Sequence, residues 1–175
     1  MLILLLSLAV AVLDQATKYA VSCRLLLGEQ VPVLPGLFSI SHVHNTGAAW
    51  GIFAGQGHWL VLLSIAMLGF MVWFRHSLTG GTRIGRVALA LMLSGIIGNL
   101  IDRVKYGYVV DFLHFYWRDH AFPSFNVADA AICTGVGLYL LVGFLTARTA
   151  PPEAQVAAGG GGGRGGTPQT PATVS

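Results

Sequence analysis

Hydrophobic residues in this chain gather in long runs, not in the one-sided patterns of a soluble fold. The first run extends from Leu2 to Leu13 and continues past Asp14 and Lys18 to Ser22. A stretch with no charged residue then begins at Gln30, and its end, Trp59 to Phe74, is a second dense run. A third covers about Val87 to Arg103 and a fourth about Asn126 to Ala147. Such runs, separated by the few charges, predict bilayer-spanning helices. Their uncharged cores are short for a hydrocarbon layer of ~30 Å, so each span must borrow flanking residues, including acidic ones.

The connections differ in character. Residues 23–57 contain Pro32, Pro35, Gly36, Gly47, Gly51, Gly55 and Gly57, with Val33, Phe38, Ile40 and Val43 among them. That is strand-and-turn composition, and backbone that is not helical cannot face lipid. Residues 104–125 mix aromatic and polar side chains. The expected fold is an all-α membrane protein of four transmembrane helices, with a small extracytoplasmic β-sheet, about 23–57, between helices 1 and 2. Residues 1–150 would form this domain. Residues 151–175, rich in Gly and Pro with five consecutive glycines from Gly159, read as a disordered cytoplasmic tail. No internal repeat stands out, which disfavours a transporter built from two related halves.

Composition sharpens the membrane reading. Hydrophobic residues make up 54% of the chain and charged ones 10%, against about 25% charged in soluble domains. A net charge of +3 without a basic cluster disfavours nucleic acid as a partner. Cys23 and Cys133 lie far apart and outside any CxxC pair, so neither a disulfide framework nor a zinc cluster is expected. A cleaved secretory signal fits poorly, because Asp14 and Lys18 would lie inside its apolar region. The loop Arg75 to Arg86 has three arginines and no acid, which places it in the cytoplasm. Both termini would then be cytoplasmic, with 23–57 and 104–125 outside.

Asp14, Asp102, Asp111 and Asp129 lie near predicted helix ends or in an outer connection. Ionisable groups at membrane depth are costly and tend to be functional, although interfacial snorkelling or helix-pinning ion pairs account for many. Spacing favours function. Asn99, Asp102 and Arg103 share one helix face, Asn126 and Asp129 repeat the Asn-x-x-Asp spacing, and Asp14 and Lys18 form an i, i+4 pair. With Asp111 they can converge on one outward site. Two carboxylates in one apolar pocket do not ionise together easily. One keeps a proton as general acid while the other takes a proton from water, a chemistry that hydrolyses a peptide bond without metal. There is no HExxH and no GxSxG. His42 and His44 alternate on a likely strand and read as surface histidines. Cys133 reads as a small packing residue. No cofactor motif is present.

Five pieces carry a resemblance: Asp14-Gln15-Ala16-Thr17-Lys18, Asn45-Thr46-Gly47-Ala48-Ala49-Trp50-Gly51, Gly98-Asn99-Leu100-Ile101-Asp102-Arg103, Val109-Val110-Asp111-Phe112 and Phe125-Asn126-Val127-Ala128-Asp129. In order and content they resemble the sequence blocks of lipoprotein signal peptidase, signal peptidase II, with Trp50 where the family usually has Phe. The resemblance implies a multi-pass aspartic endopeptidase of the bacterial inner membrane, its active site near the outer face. It would remove signal peptides from diacylglyceryl-modified prolipoproteins, cutting before the lipidated cysteine; membrane lipids are its other partners. By motif, Asp111 and Asp129 match the catalytic aspartates. Asn45, Gly47, Asn99, Arg103 and Asn126 match substrate-binding positions, and Asp14, Lys18 and Asp102 supporting ones. The alternatives are a small proton-coupled transporter using the same aspartates, and a non-enzymatic assembly factor with polar residues joining helices.

Overall fold

The computed structural model describes residues 1–47, 55–118 and 120–149. Among these residues, five helices and four strands follow one another: α1 (Leu2–Arg24), β1 (Gln30–Leu34), β2 (Phe38–Asn45), α2 (Gly57–Trp73), α3 (Arg75–Thr79), α4 (Arg83–Tyr106), β3 (Val109–Trp117), β4 (His120–Ala121) and α5 (Val127–Thr149). Residues 1–142 form one compact unit, and beyond it only the end of α5 is described. The predicted tail lies outside the described residues.

Among the described residues, three helical segments are long and apolar enough to cross a membrane: Leu2–Arg24, Arg83–Tyr106 and Val127–Thr146. The second predicted helix, α2, has 17 residues, about 26 Å at 1.5 Å per residue. Trp59, Leu62, Leu63, Ile65, Phe70 and Trp73 are exposed along it, and only Leu60 and Met71 are buried. An apolar helix with most of its surface uncovered by protein suits lipid, not water. The predicted loop 75–86 contains the short helix α3, and α4 starts earlier than expected because Thr82 Oγ1 accepts a hydrogen bond from the Gly85 N–H and caps it.

α4 is the packing centre. Its buried residues include Gly85, Ala88, Ala90, Ser94, Gly95 and Gly98, and small residues let helices approach closely where lipid offers no hydrophobic drive. A Cβ on Gly98 would lie 2.6 Å from Asp14 Oδ2, so α1 and α4 meet there at a distance only glycine permits. Ser7 Oγ donates to the Ala90 carbonyl at 2.9 Å, joining the same two helices.

The sheet is larger than predicted. Its order is β1-β2-β3-β4, all antiparallel, so half of it comes from the segment after α4 and not from 23–57 alone. The run Val109–Trp117 carries no strand signal in the sequence because it alternates poorly: its first four residues are all buried. α4 ends at Gly107, whose φ of 79° turns the chain directly into β3. The register pairs Asn45 with Val109 and Val43 with Asp111, with an irregularity in β2 between Ile40 and Val43. Asn45 and Asp111 are therefore diagonal neighbours on one face.

Candidate active site

Each polar group of the site is held by an element whose local geometry has its own cause. Asp111 is 2% exposed on β3. Its Oδ2 accepts from Asn45 Nδ2 at 2.9 Å, as the register requires, and its Oδ1 accepts from Asn126 Nδ2 at 2.7 Å. Asn126 immediately precedes α5 and is fully buried. Its Oδ1 accepts from the Asp129 N–H at 2.9 Å, while Asp129 Oδ2 accepts from the Asn126 N–H at 3.2 Å. This reciprocal pair is a capping box built from Asn and Asp. The Asn-x-x-Asp spacing on α5 thus has a structural origin as well as a chemical one.

Asp129 Oδ1 accepts from Asn99 Nδ2 at 2.8 Å, so α4 reaches the same carboxylate. Asn126 Nδ2 also approaches Asn99 Oδ1 at 3.2 Å. The two aspartates, on different elements, are therefore joined through Asn126. Both line one cavity of about 770 Å³ together with Asn45, Gly47, Asn99 and Arg103. Val43, Val109, Phe122, Pro123, Phe125 and Ile132 give it apolar walls. Arg103 Nη2 donates to the Gly47 carbonyl at 3.0 Å, and the Gly47 N–H donates to Asn45 Oδ1 at 2.9 Å. Ala48, Ala49, Trp50 and Gly51, the rest of that sequence block, lie outside the described residues.

Burial first, and then the charge on Asp129, raise the pKa of Asp111 from the usual carboxylate value to about 7. The amides of Asn45 and Asn126 and the charge on Lys18 oppose the rise. Asp111 is therefore able to keep a proton at a pH where an ordinary carboxyl is ionised. One carboxyl able to donate beside another able to accept is the arrangement acid–base hydrolysis needs.

Asp14, Lys18 and Asp102 do not line the cavity. They form a buried ionic cluster beneath it, with Lys18 Nζ 2.8 Å from Asp14 Oδ2 and 3.0 Å from Asp102 Oδ2. Sequence reasoning overlooked Gln15, whose Nε2 donates to Asp102 Oδ1 at 2.9 Å and to the Gly98 carbonyl at 3.2 Å. Its place between Asp14 and Lys18 was the available signal. Ser124, also on the cavity wall, was missed; nothing in its spacing marked it.

Two readings need correction. His42 is buried, not at the surface: its Nδ1 faces the Leu25 carbonyl at 2.9 Å and stitches the end of α1 to β2. His44 is half-buried, stacks on Tyr108 with centroids 3.7 Å apart, and lines the cavity. Burial, and then the charge of His42, lower its basicity. Cys133 is exposed and faces the cavity instead of packing in the core, because α5 turns that side toward the opening.

Comparison with known proteins identifies the family. The family profile described as signal peptidase (SPase) II matches residues 6–145. A lipoprotein signal peptidase of Symbiobacterium thermophilum is 43% identical over 142 residues, covering 81% of this chain and 93% of that protein. One from Geobacter metallireducens is 45% identical over 134 residues, covering 74% and 82% respectively. A solved structure described as a bacterial membrane enzyme superposes with a TM-score of 0.77 at 33% identity, covering 84% of this chain and 89% of that one. The chain belongs to the signal peptidase II family, a family of aspartic peptidases.

Proposed function

We propose that this peptidase removes the signal peptide from diacylglyceryl-modified prolipoproteins, cutting before the lipidated cysteine, with Asp111 and Asp129 as its catalytic pair. The observation that carries this reading is the joining of two carboxylates from β3 and α5 through Asn126 at one cavity with apolar walls. In the monoprotonated pair, the protonated carboxyl donates to the scissile carbonyl oxygen. The ionised one takes a proton from water, whose oxygen bonds to the carbonyl carbon. The tetrahedral intermediate then collapses: the carbonyl reforms, the C–N bond breaks, and the amine of the new N-terminal cysteine leaves with a proton from the pair. Asn45, Asn99 and Asn126 hold the carboxylates, while Arg103 and Gly47 border the space the substrate backbone would occupy. The apolar walls suit acyl chains, each buried CH₂ contributing about 0.8 kcal/mol.

Purified enzyme should cut a diacylglyceryl-modified precursor at the bond before the modified cysteine, read by mass spectrometry. The same precursor with Ser for that cysteine should stay intact. Equal cleavage of both would refute the lipid requirement. The transporter alternative has no support from the family or from its solved relatives.

α2 serves as a fourth span beside α1, α4 and α5, in the bacterial inner membrane, with the sheet and active site at the outer face. Both termini are cytoplasmic, and residues 151–175 stand outside the peptidase unit 1–150. The arginines at 75, 83 and 86 support this orientation, and the family match ends at 145, before the tail. In a background lacking Cys23 and Cys133, Ser77→Cys on exposed α3 should react only with a permeant reagent. Labelling from the outer side by an impermeant reagent would reverse the orientation.

A further inference from the structure

Lys18 on α1 is 3% exposed and is not among the residues lining the cavity, so it cannot touch a substrate there. Its ammonium has three partners: Asp14, Asp102, and Asn99 Oδ1 at 3.0 Å. Each leads onward to the catalytic pair. Asp14 Oδ1 accepts from the Ala128 N–H at 2.8 Å, one residue before Asp129. Asp102 Oδ2 accepts from the Val110 N–H at 3.2 Å, one residue before Asp111. Asn99 donates to Asp129 Oδ1 from its other end.

A plain ion pair pinning α1 to α4 would need one carboxylate and would say nothing about Asn99. An ammonium group only donates, and an ionised carboxylate only accepts. Lys18 on one side and Asp129 on the other therefore force the Asn99 amide into one of its two orientations, oxygen inward and NH₂ toward Asp129. Lys18 also sets the charge beneath the site. With Asp14 and Asp102 the cluster carries one net negative charge; without Lys18 it would carry two.

We propose that Lys18 is a positioning residue for the peptidase reaction, fixing Asp129 and Asp111 through Asp14, Asp102 and Asn99 and setting the charge the pair experiences. This rests on the reading of Asp111 and Asp129 as the catalytic pair. The charged and titratable groups facing Asp111 are Asp129 from α5, Lys18 from α1 and Arg103 from α4, with His44 of β2 on the same cavity wall.

The experiment measures kcat/KM against pH for cleavage of a lipidated precursor by full-length enzyme in detergent. A shared proton gives a bell-shaped profile. Lys18→Met removes a positive charge at similar length, so the bell should move about one unit toward higher pH. Asp14→Asn removes a negative charge but keeps an acceptor for Ala128, so its bell should move the opposite way. In both, kcat falls while KM stays within about twofold, because neither residue lines the cavity. Lys18→Met strands two buried carboxylates; if it does not fold, Asp14→Asn decides alone. Lower activity on an unmoved profile in Asp14→Asn would reduce the cluster to a structural pin and overturn the proposal. Failure of the underlying catalytic reading would show separately, as active Asp111→Asn or Asp129→Asn enzyme.

Discussion

Asp111→Asn and Asp129→Asn should each give a folded, inserted enzyme that cleaves a lipidated precursor at least ~100-fold more slowly, the low end for lost acid–base catalysis. Asn has nearly the shape of Asp but neither delivers a proton to a carbonyl nor takes one from water. Folding should survive for reasons visible at each site. Asp111 accepts from two side-chain amides, Asn45 and Asn126, and an Asn there still satisfies one through its oxygen. The displaced donor costs about 1–3 kcal/mol if it finds no other partner. Against this, the variant no longer buries a carboxylate beside another, the situation that raises Asp111 to about 7. At Asp129 an Asn oxygen can keep the Asn99 bond or the one from the Asn126 N–H. Activity should fall far more than stability.

Gly95→Ala should show the reverse emphasis, a large loss of stability from one methyl group. A Cβ there would lie 2.3 Å from the Ala128 carbonyl oxygen and 2.6 Å from Ile132 Cγ1. The first is backbone at the start of α5 and cannot swing aside, so the helices must separate. Overpacking of this kind costs about 1–3 kcal/mol. Ala128 also donates to Asp14 and adjoins Asp129, so the displacement reaches the site and activity per folded molecule should drop too. Gly69→Ala on α2, where a Cβ meets nothing within 4 Å, is the control. Thermal unfolding in detergent separates the two. Equal midpoints for Gly95→Ala and Gly69→Ala would mean that α4 and α5 do not pack this tightly.

Much of this architecture was legible because the bilayer imposes simple rules. Apolar runs had to be helices, and the acids interrupting them had to have a use. Asp14, Asn99, Asp102, Asn126 and Asp129 were marked by helical spacing, and the structure brings all of them to one end of the unit. What escaped were features with no side-chain pattern. β3 was obscured because its opening residues are buried on both faces, which erases alternation. The backbone N–H groups of Val110 and Ala128, on which Asp102 and Asp14 close, leave no mark in sequence. Spacing placed Lys18 beside Asp14 but not against Asn99, a contact across 81 residues. His42 was misjudged because an alternating strand predicts which face a residue takes, not what covers that face.

In the proposed mechanism, Asp111 and Asp129 act as one unit on the scissile bond. The most direct measurement is single-turnover cleavage of a lipidated precursor by the two single Asn variants and the double variant, at matched concentrations of folded enzyme. If the carboxylates share one proton, each single variant loses at least ~100-fold and the double is within about threefold of the worse single, since the unit is already broken. More than about a tenth of the parental rate in either single variant, or a double variant slower by the product of the two losses, would contradict it.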